Sequence, residues 1–329
     1  MSAFEDHKAE IQKLADKHAK YLKLAFLAAI VQLRKSIDNN ALIEAINSGS
    51  INSILRVINP SQLDELLYGI GMPKDNLIFN DENMRVFHLA ATAAFYQLLP
   101  DIQRRWNYNP INERTVSTLI SDASRVASDL VATTNAGVML NISQNLAYNT
   151  NLTARIEDIK QLIGLTSPQA QAVLNFKSQL ENRKVLGFTK PTDRMLNETD
   201  RILLGNHMKN GGLTQSGIDR MVRKYSEQLL NQRASEIALA SAMNSINSGM
   251  QSMWSQGVTT GALGSNNRKF WVTAGDKKVR PTHIVIPGMN PNGVVIDSMF
   301  ITPTGPVPYP MWGMGDYMNC RCHVILKTV

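Results

Sequence analysis

The stretch Ser252-Met-Trp-Ser-Gln-Gly257-Val-Thr-Thr-Gly-Ala-Leu-Gly-Ser-Asn-Asn-Arg-Lys-Phe270-Trp-Val-Thr273 marks a change in the texture of the chain. Upstream of Gly257 the apolar residues recur at three- and four-residue steps, the spacing of amphipathic helices. Downstream lie seven of the thirteen prolines and short runs rich in β-branched and aromatic residues, at 270–273, 283–286, 294–296, 300–302 and 323–326. Short runs of this kind between Gly and Pro predict strands joined by loops. The expected fold class is therefore α+β: a mostly helical body of long helices with a small β-rich C-terminal domain. Three segments follow from the pattern: 1–150, 151–256 and 257–329.

Working outward, residues 4–37 form one amphipathic pattern through Ile11, Leu14, Ala15, Tyr21, Leu22, Ala25 and Leu33, ended by Asn39-Asn40. Short helices are expected at 42–47, 51–57 and 61–68, followed by a loop at Gly69, Gly71 and Pro73. The pattern at 81–106 should bend or divide at Pro100. One long helix should cover 113–149, weakened near Gly137. Thr166-Ser167-Pro168 reads as a cap with proline in the first turn, opening a helix over 168–183. A loop at 184–191 and helices at 192–209 and 216–256 complete the body. Small residues dominate 234–252, so that part of the last helix can approach a neighbour closely.

The 329 residues are 43% hydrophobic and 19% charged, and their mean hydropathy is −0.17. This excludes a disordered chain, a collagen-like fibre and a disulfide-rich miniprotein. No run reaches the roughly 18 apolar residues of a membrane span; the best, 24–31, is far shorter. Glu5, Asp6, Lys8 and Glu10 interrupt any signal-like start, so a cytosolic protein is expected. Residues 1–150 carry 14 Lys and Arg against 15 Asp and Glu; residues 151–265 carry 13 against 9, and 266–329 carry 7 against 3. The net charge of +7 thus lies in the C-terminal part. Such a field suits a polyanion such as DNA, and equally a solvated basic face.

The C-terminal part also holds the motifs. Trp271 is followed by Asp276, Arg280 and His283, then by Phe300 and Pro303, then by Tyr309-Pro310 and Asn319-Cys320-Arg321-Cys322-His323. This order resembles the C-terminal domain of the phage Mu F-like head morphogenesis (minor head) proteins: Trp, Asp, Arg, His, a Phe-x-x-Pro step, a proline-containing loop, then Asn-Cys-Arg-Cys. Upstream, Leu165-Thr166-Ser167-Pro168-Gln169 resembles that family's Leu-Thr-x-x-Gln element. The run 237–244, ending at Asn244, occupies the place of its Ile-Ala-Arg-Thr-Glu … Asn helix but lacks the Arg and the Glu. The resemblance covers 165–329 and is specific over the last sixty residues; 1–150 carries no assigned motif. It implies a structural component of a tailed-phage head, present in few copies, located in the virion after assembly in the host cytoplasm. Its partners would be the portal protein and other head proteins, with non-specific contact to packaged double-stranded DNA and no membrane.

Cys320 and Cys322 are the only cysteines. On a strand both side chains face one way, yet a bridge between them would be strained. With His283, His323 and Asp276 they make a candidate Zn²⁺ site, since thiolate and imidazole are suitable donors. The alternative is a pair of buried thiols, with Arg321 pointing outward or pairing with Asp276. Asp276 and Arg280 read as a local salt bridge. Trp271 and Trp312 read as core anchors. Arg268, Lys269, Lys277 and Lys278 form the densest cationic cluster and are the candidate DNA contacts. A Cys–His nucleophile pair is a further reading, but no Glu follows Glu236 and only Asp276, Asp297 and Asp316 remain as carboxylates beyond it. With no P-loop, Gly-x-Ser-x-Gly or His-Glu-x-x-His motif, the chain is not expected to be an enzyme. Three readings stand: structural virion component, zinc-stabilised DNA-binding module, and hydrolase or toxin.

Overall fold

A computed structural model describes residues 3–110, 112–145, 152–182, 214–314 and 317–327. The helices run in order α1 (Ala3–Ser36), α2 (Asn39–Asn47), α3 (Ile51–Ile58), α4 (Gln62–Leu67), α5 (Phe79–Tyr96), α6 (Pro100–Arg105), α7 (Glu113–Asn145), α8 (Leu152–Leu162), α9 (Ser167–Asn182) and α10 (Gln215–Thr259). Then follow β1 (Arg268–Val272), α11 (Pro281–Ile284), α12 (Ile286–Met289), β2 (Val294–Val295) and β3 (His323–Lys327). The mostly helical body with a small C-terminal sheet is the architecture expected from the sequence. The expected loop at 184–191 and helix at 192–209 lie outside the described residues.

Local chemistry sets the boundaries. The first break comes at Asp38, ahead of the expected Asn39-Asn40: its carboxylate accepts from the Asn40 amide at 2.7 Å and the Ala41 amide at 3.2 Å, capping α2. Pro100 divides the 81–106 pattern, standing in the first turn of α6. At the start of α9 the Gln169 side chain accepts from the Thr166 amide at 3.1 Å. This is one half of a capping box, with the Thr166 hydroxyl donating to the same Gln169 oxygen at 3.2 Å. The Leu-Thr-x-x-Gln element is thus a helix-start device.

Two compact units divide the chain. One comprises Ala29–Asp64 and Asp129–Arg233. Its core includes Ile30, Leu33, Leu42, Ile54, Leu162 and Phe176. Within it, Arg34 donates to the carbonyls of Gln161 at 3.0 Å and Ile163 at 2.8 Å, and Arg233 donates to that of Gly164. Two guanidinium groups therefore satisfy carbonyls at and just beyond the C-terminus of α8, where no intrahelical donor remains.

The other unit comprises Met1–Ala28, Glu65–Ser128 and Ala234–Val329, and so contains all of 257–329. Its centre is the small-residue part of α10. A Cβ at Gly249 would lie 2.4 Å from the Phe87 carbonyl oxygen, so glycine is what lets α10 pass so close to the α5 backbone. Against α10 sits an antiparallel sheet of order β2-β1-β3. In it Trp271 pairs with Val324 and Val272 with His323.

Two expected strands are absent from that sheet. Residues 283–286 run from the end of α11 through Val285 to the start of α12, with Pro281 and Pro287 in the first helical turns. His283, Ile286 and Asn290 are buried while Ile284 and Val285 are exposed. That three- and four-residue spacing is helical, whereas a strand would alternate. Residues 300–302 supply a single bridge between Phe300 and Val307. Among the described residues no helix is long and apolar enough to cross a membrane.

Candidate metal-binding site

α10 carries a row of amides that fixes the loops around the sheet. The Asn247 side chain donates to the carbonyls of Pro310 and Cys322, each at 3.2 Å, and accepts from the Val324 amide at 3.2 Å. Asn244 accepts from the Trp312 amide at 2.8 Å and donates to Asp122 at 3.1 Å. Gln251 donates to the Ile296 carbonyl at 2.7 Å. Positions 244, 247 and 251 step by three and four, so all three lie on one helix face. Of the three, the sequence reading singles out only Asn244, through the resemblance; the spacing of the three amides is the signal that finds the others.

This grip holds the segment that carries both cysteines. The Cys320 amide donates to the Tyr317 carbonyl at 2.8 Å, closing a turn. Asn319 within it has φ +61°, a left-handed conformation that asparagine adopts more readily than most residues. The Cys322 amide then donates to the Cys320 sulfur at 3.3 Å. From α11, His283 Nδ1 lies 3.3 Å from the Cys320 sulfur and 3.5 Å from that of Cys322. Trp271 buttresses the imidazole edge-on, with centroids 6.1 Å apart, and packs in the same way on Phe300 at 5.5 Å.

The ligand atoms of His283, Cys320 and Cys322 all lie within 4.8 Å of one another, and all three residues are buried. Two sulfurs and an imidazole nitrogen suit a thiophilic divalent ion, so these residues form a site able to hold a metal. The hydrogen bond between the thiols pushes Cys320 well above the ordinary thiol range and holds Cys322 below it. The three residues border a cavity of about 400 Å³, which Asp276, Lys278, Arg280, Asn319 and Arg321 also line.

The remaining expected site residues are distributed differently. His323 is fully buried on β3 and is not a member of the three-residue group. It follows Cys322 directly, and neighbouring strand residues face opposite ways. Asp276 also lies outside that group, and its carboxylate accepts from the Lys278 amide at 2.8 Å. The expected Asp276–Arg280 salt bridge is replaced by a bond from the Arg280 guanidinium to the Met318 carbonyl. Arg321 pairs with Asp16 of α1 at 3.0 Å, not with Asp276.

Of the candidate DNA contacts, Arg268, Lys277 and Lys278 are exposed. Lys269 is not. It is fully buried, donating to Gln251 at 2.9 Å and to the Pro308 carbonyl at 2.7 Å beneath the Phe300 ring. Burial lowers its pKa to about 7, against the pull of Asp297. It cannot reach a phosphate. A further feature with no sequence signal is the buried His18–Glu82 pair, which joins α1 to α5.

Comparison of the chain with family models, with curated proteins and with solved structures yields no match.

Proposed function

We propose that this chain is a minor head protein of a tailed bacteriophage, acting in head morphogenesis at the portal vertex, with its basic C-terminal part toward packaged DNA. The observation that carries this reading is the gathering of Trp271, His283, Cys320 and Cys322 around one site. These are four of the residues on which the resemblance rests, and they come from β1, α11 and the approach to β3. Their surroundings fit a scaffolding role. Trp271 and Phe300 are core residues, and the amides of α10 hold main-chain atoms in place.

We assign Zn²⁺ to the three-donor group. There it would tie α11 to the segment leading into β3, in a region whose three strands form a small core. A second reading, a zinc-stabilised DNA-binding module, is favoured by the same donors together with the exposure of Arg268, Lys277 and Lys278.

Two measurements test the proposal. Particles purified from the producing host should contain peptides of this chain along with portal protein; particles lacking them would refute the head assignment. The full-length protein should carry about one zinc per chain, lost in Cys322→Ser and His283→Ala. A metal-free wild type that stays metal-free after incubation with Zn²⁺ would refute the zinc assignment.

A further inference from the structure

The cavity beside the three donors has a chemistry of its own. Its walls carry Lys278, Arg280 and Arg321 as cations and Asp276 as an anion. Arg321 is matched by Asp16 at 3.0 Å. Lys278 and Arg280 thus face a single carboxylate, that of Asp276, which is already engaged by a backbone amide. Two thiolates and a neutral imidazole would cancel the charge of Zn²⁺, so these side chains set the sign of the field in the cavity. That sign is positive. The described residues supply three donors, whereas zinc takes four. All three donors border the cavity, so an ion held by them would have its remaining position open to it.

We propose that this fourth position binds an oxygen of a phosphate-class anion, with Lys278 and Arg280 as its flanking cations. The inference rests on the zinc assignment above. An oxyanion fits both halves of the cavity: the metal is a Lewis acid, and ammonium and guanidinium groups donate to phosphate oxygens in short charge-assisted bonds. The same chemistry is offered by free phosphate and by the 5′-phosphate of a DNA end.

The test uses the full chain loaded with Co²⁺, which reports its ligands by absorption. Binding should give thiolate-to-cobalt charge transfer in the near ultraviolet and tetrahedral bands in the visible. Inorganic phosphate should then shift the visible bands. Lys278→Ala and Arg280→Gln should each raise the phosphate concentration for half the shift about tenfold, and Lys278→Ala should leave cobalt affinity unchanged within about twofold. Lys278 is exposed, so its variant carries the test even where the loss of the Arg280–Met318 bond disturbs the turn. Blunt duplexes with 5′-phosphate and 5′-hydroxyl ends separate the sources. A shift with the phosphorylated duplex alone assigns a DNA end, and a shift with inorganic phosphate but neither duplex assigns a small anion. Thiolate bands that phosphate leaves unmoved would overturn this inference and leave the zinc assignment standing. Absence of thiolate bands would overturn both.

Discussion

Replacing Lys269 with Met converts the burial of an ammonium group into a measurable dependence of stability on pH. The side chain is fully buried, and its pKa falls from 10.5 to about 7. Below pH 7 it is protonated in both the folded and the unfolded chain, and the folded state carries the full cost of burying the charge. Between pH 7 and 10.5 the folded chain has lost the proton while the unfolded chain still binds it. Unfolding then takes up a proton, so stability rises with pH by about 1.4 kcal/mol per unit. Methionine has a similar shape and no proton to lose. Whatever offset the variant shows relative to wild type at pH 6 should therefore move by about 4 kcal/mol in favour of wild type by pH 10. All four tryptophans, Trp106, Trp254, Trp271 and Trp312, lie in the unit that contains Lys269. Urea unfolding followed by tryptophan fluorescence at pH 6, 8 and 10 thus reports the relevant unit. An offset constant to within about 0.5 kcal/mol across that range would refute the reasoning.

Other consequences can be checked with the same equipment. Asn247→Leu removes bonds to two carbonyls and one amide, and should cost roughly 3 kcal/mol by fluorescence-monitored unfolding. Gly249→Ala drives a methyl group to within 2.4 Å of the Phe87 carbonyl. A loss of about 1–3 kcal/mol is expected, seen as a lowered Tm. For non-specific duplex DNA, Lys277→Ala combined with Lys278→Ala should reduce the slope of log affinity against log salt by about 1–2. Lys269→Met should leave that slope unchanged, and a slope that falls with Lys269 would contradict its burial.

The helical body was legible in the sequence because long amphipathic periodicity and caps are local signals. Pro100 and Thr166 announce a helix break and a helix start within a few residues of chain. The C-terminal end was legible in part. β1 and β3 were expected within two residues of their bounds, but the run at 283–286 has the composition of a strand and the burial of helical turns. Composition there competed with two prolines, and the prolines won. The metal-binding group was legible as residue types. Membership was not: which of the two histidines faces the thiols depends on α11 packing against Trp271, a contact made across the fold. Lys269 misled for a related reason. A lysine in a basic cluster reads as solvated, and only the partners supplied by Gln251 and Pro308 make its interior position tolerable.

The amides of α10 take hold of the loops at Ile296, Pro310, Trp312, Cys322 and Val324 through carbonyl oxygens and amide hydrogens. A clasp on main-chain atoms is indifferent to the side chains those positions bear. Distant cousins of this chain could therefore rewrite the surface of the C-terminal loops, and with it their choice of neighbour, while retaining the same architecture. The constraint would fall on a short row of helix amides instead of on the loops they secure.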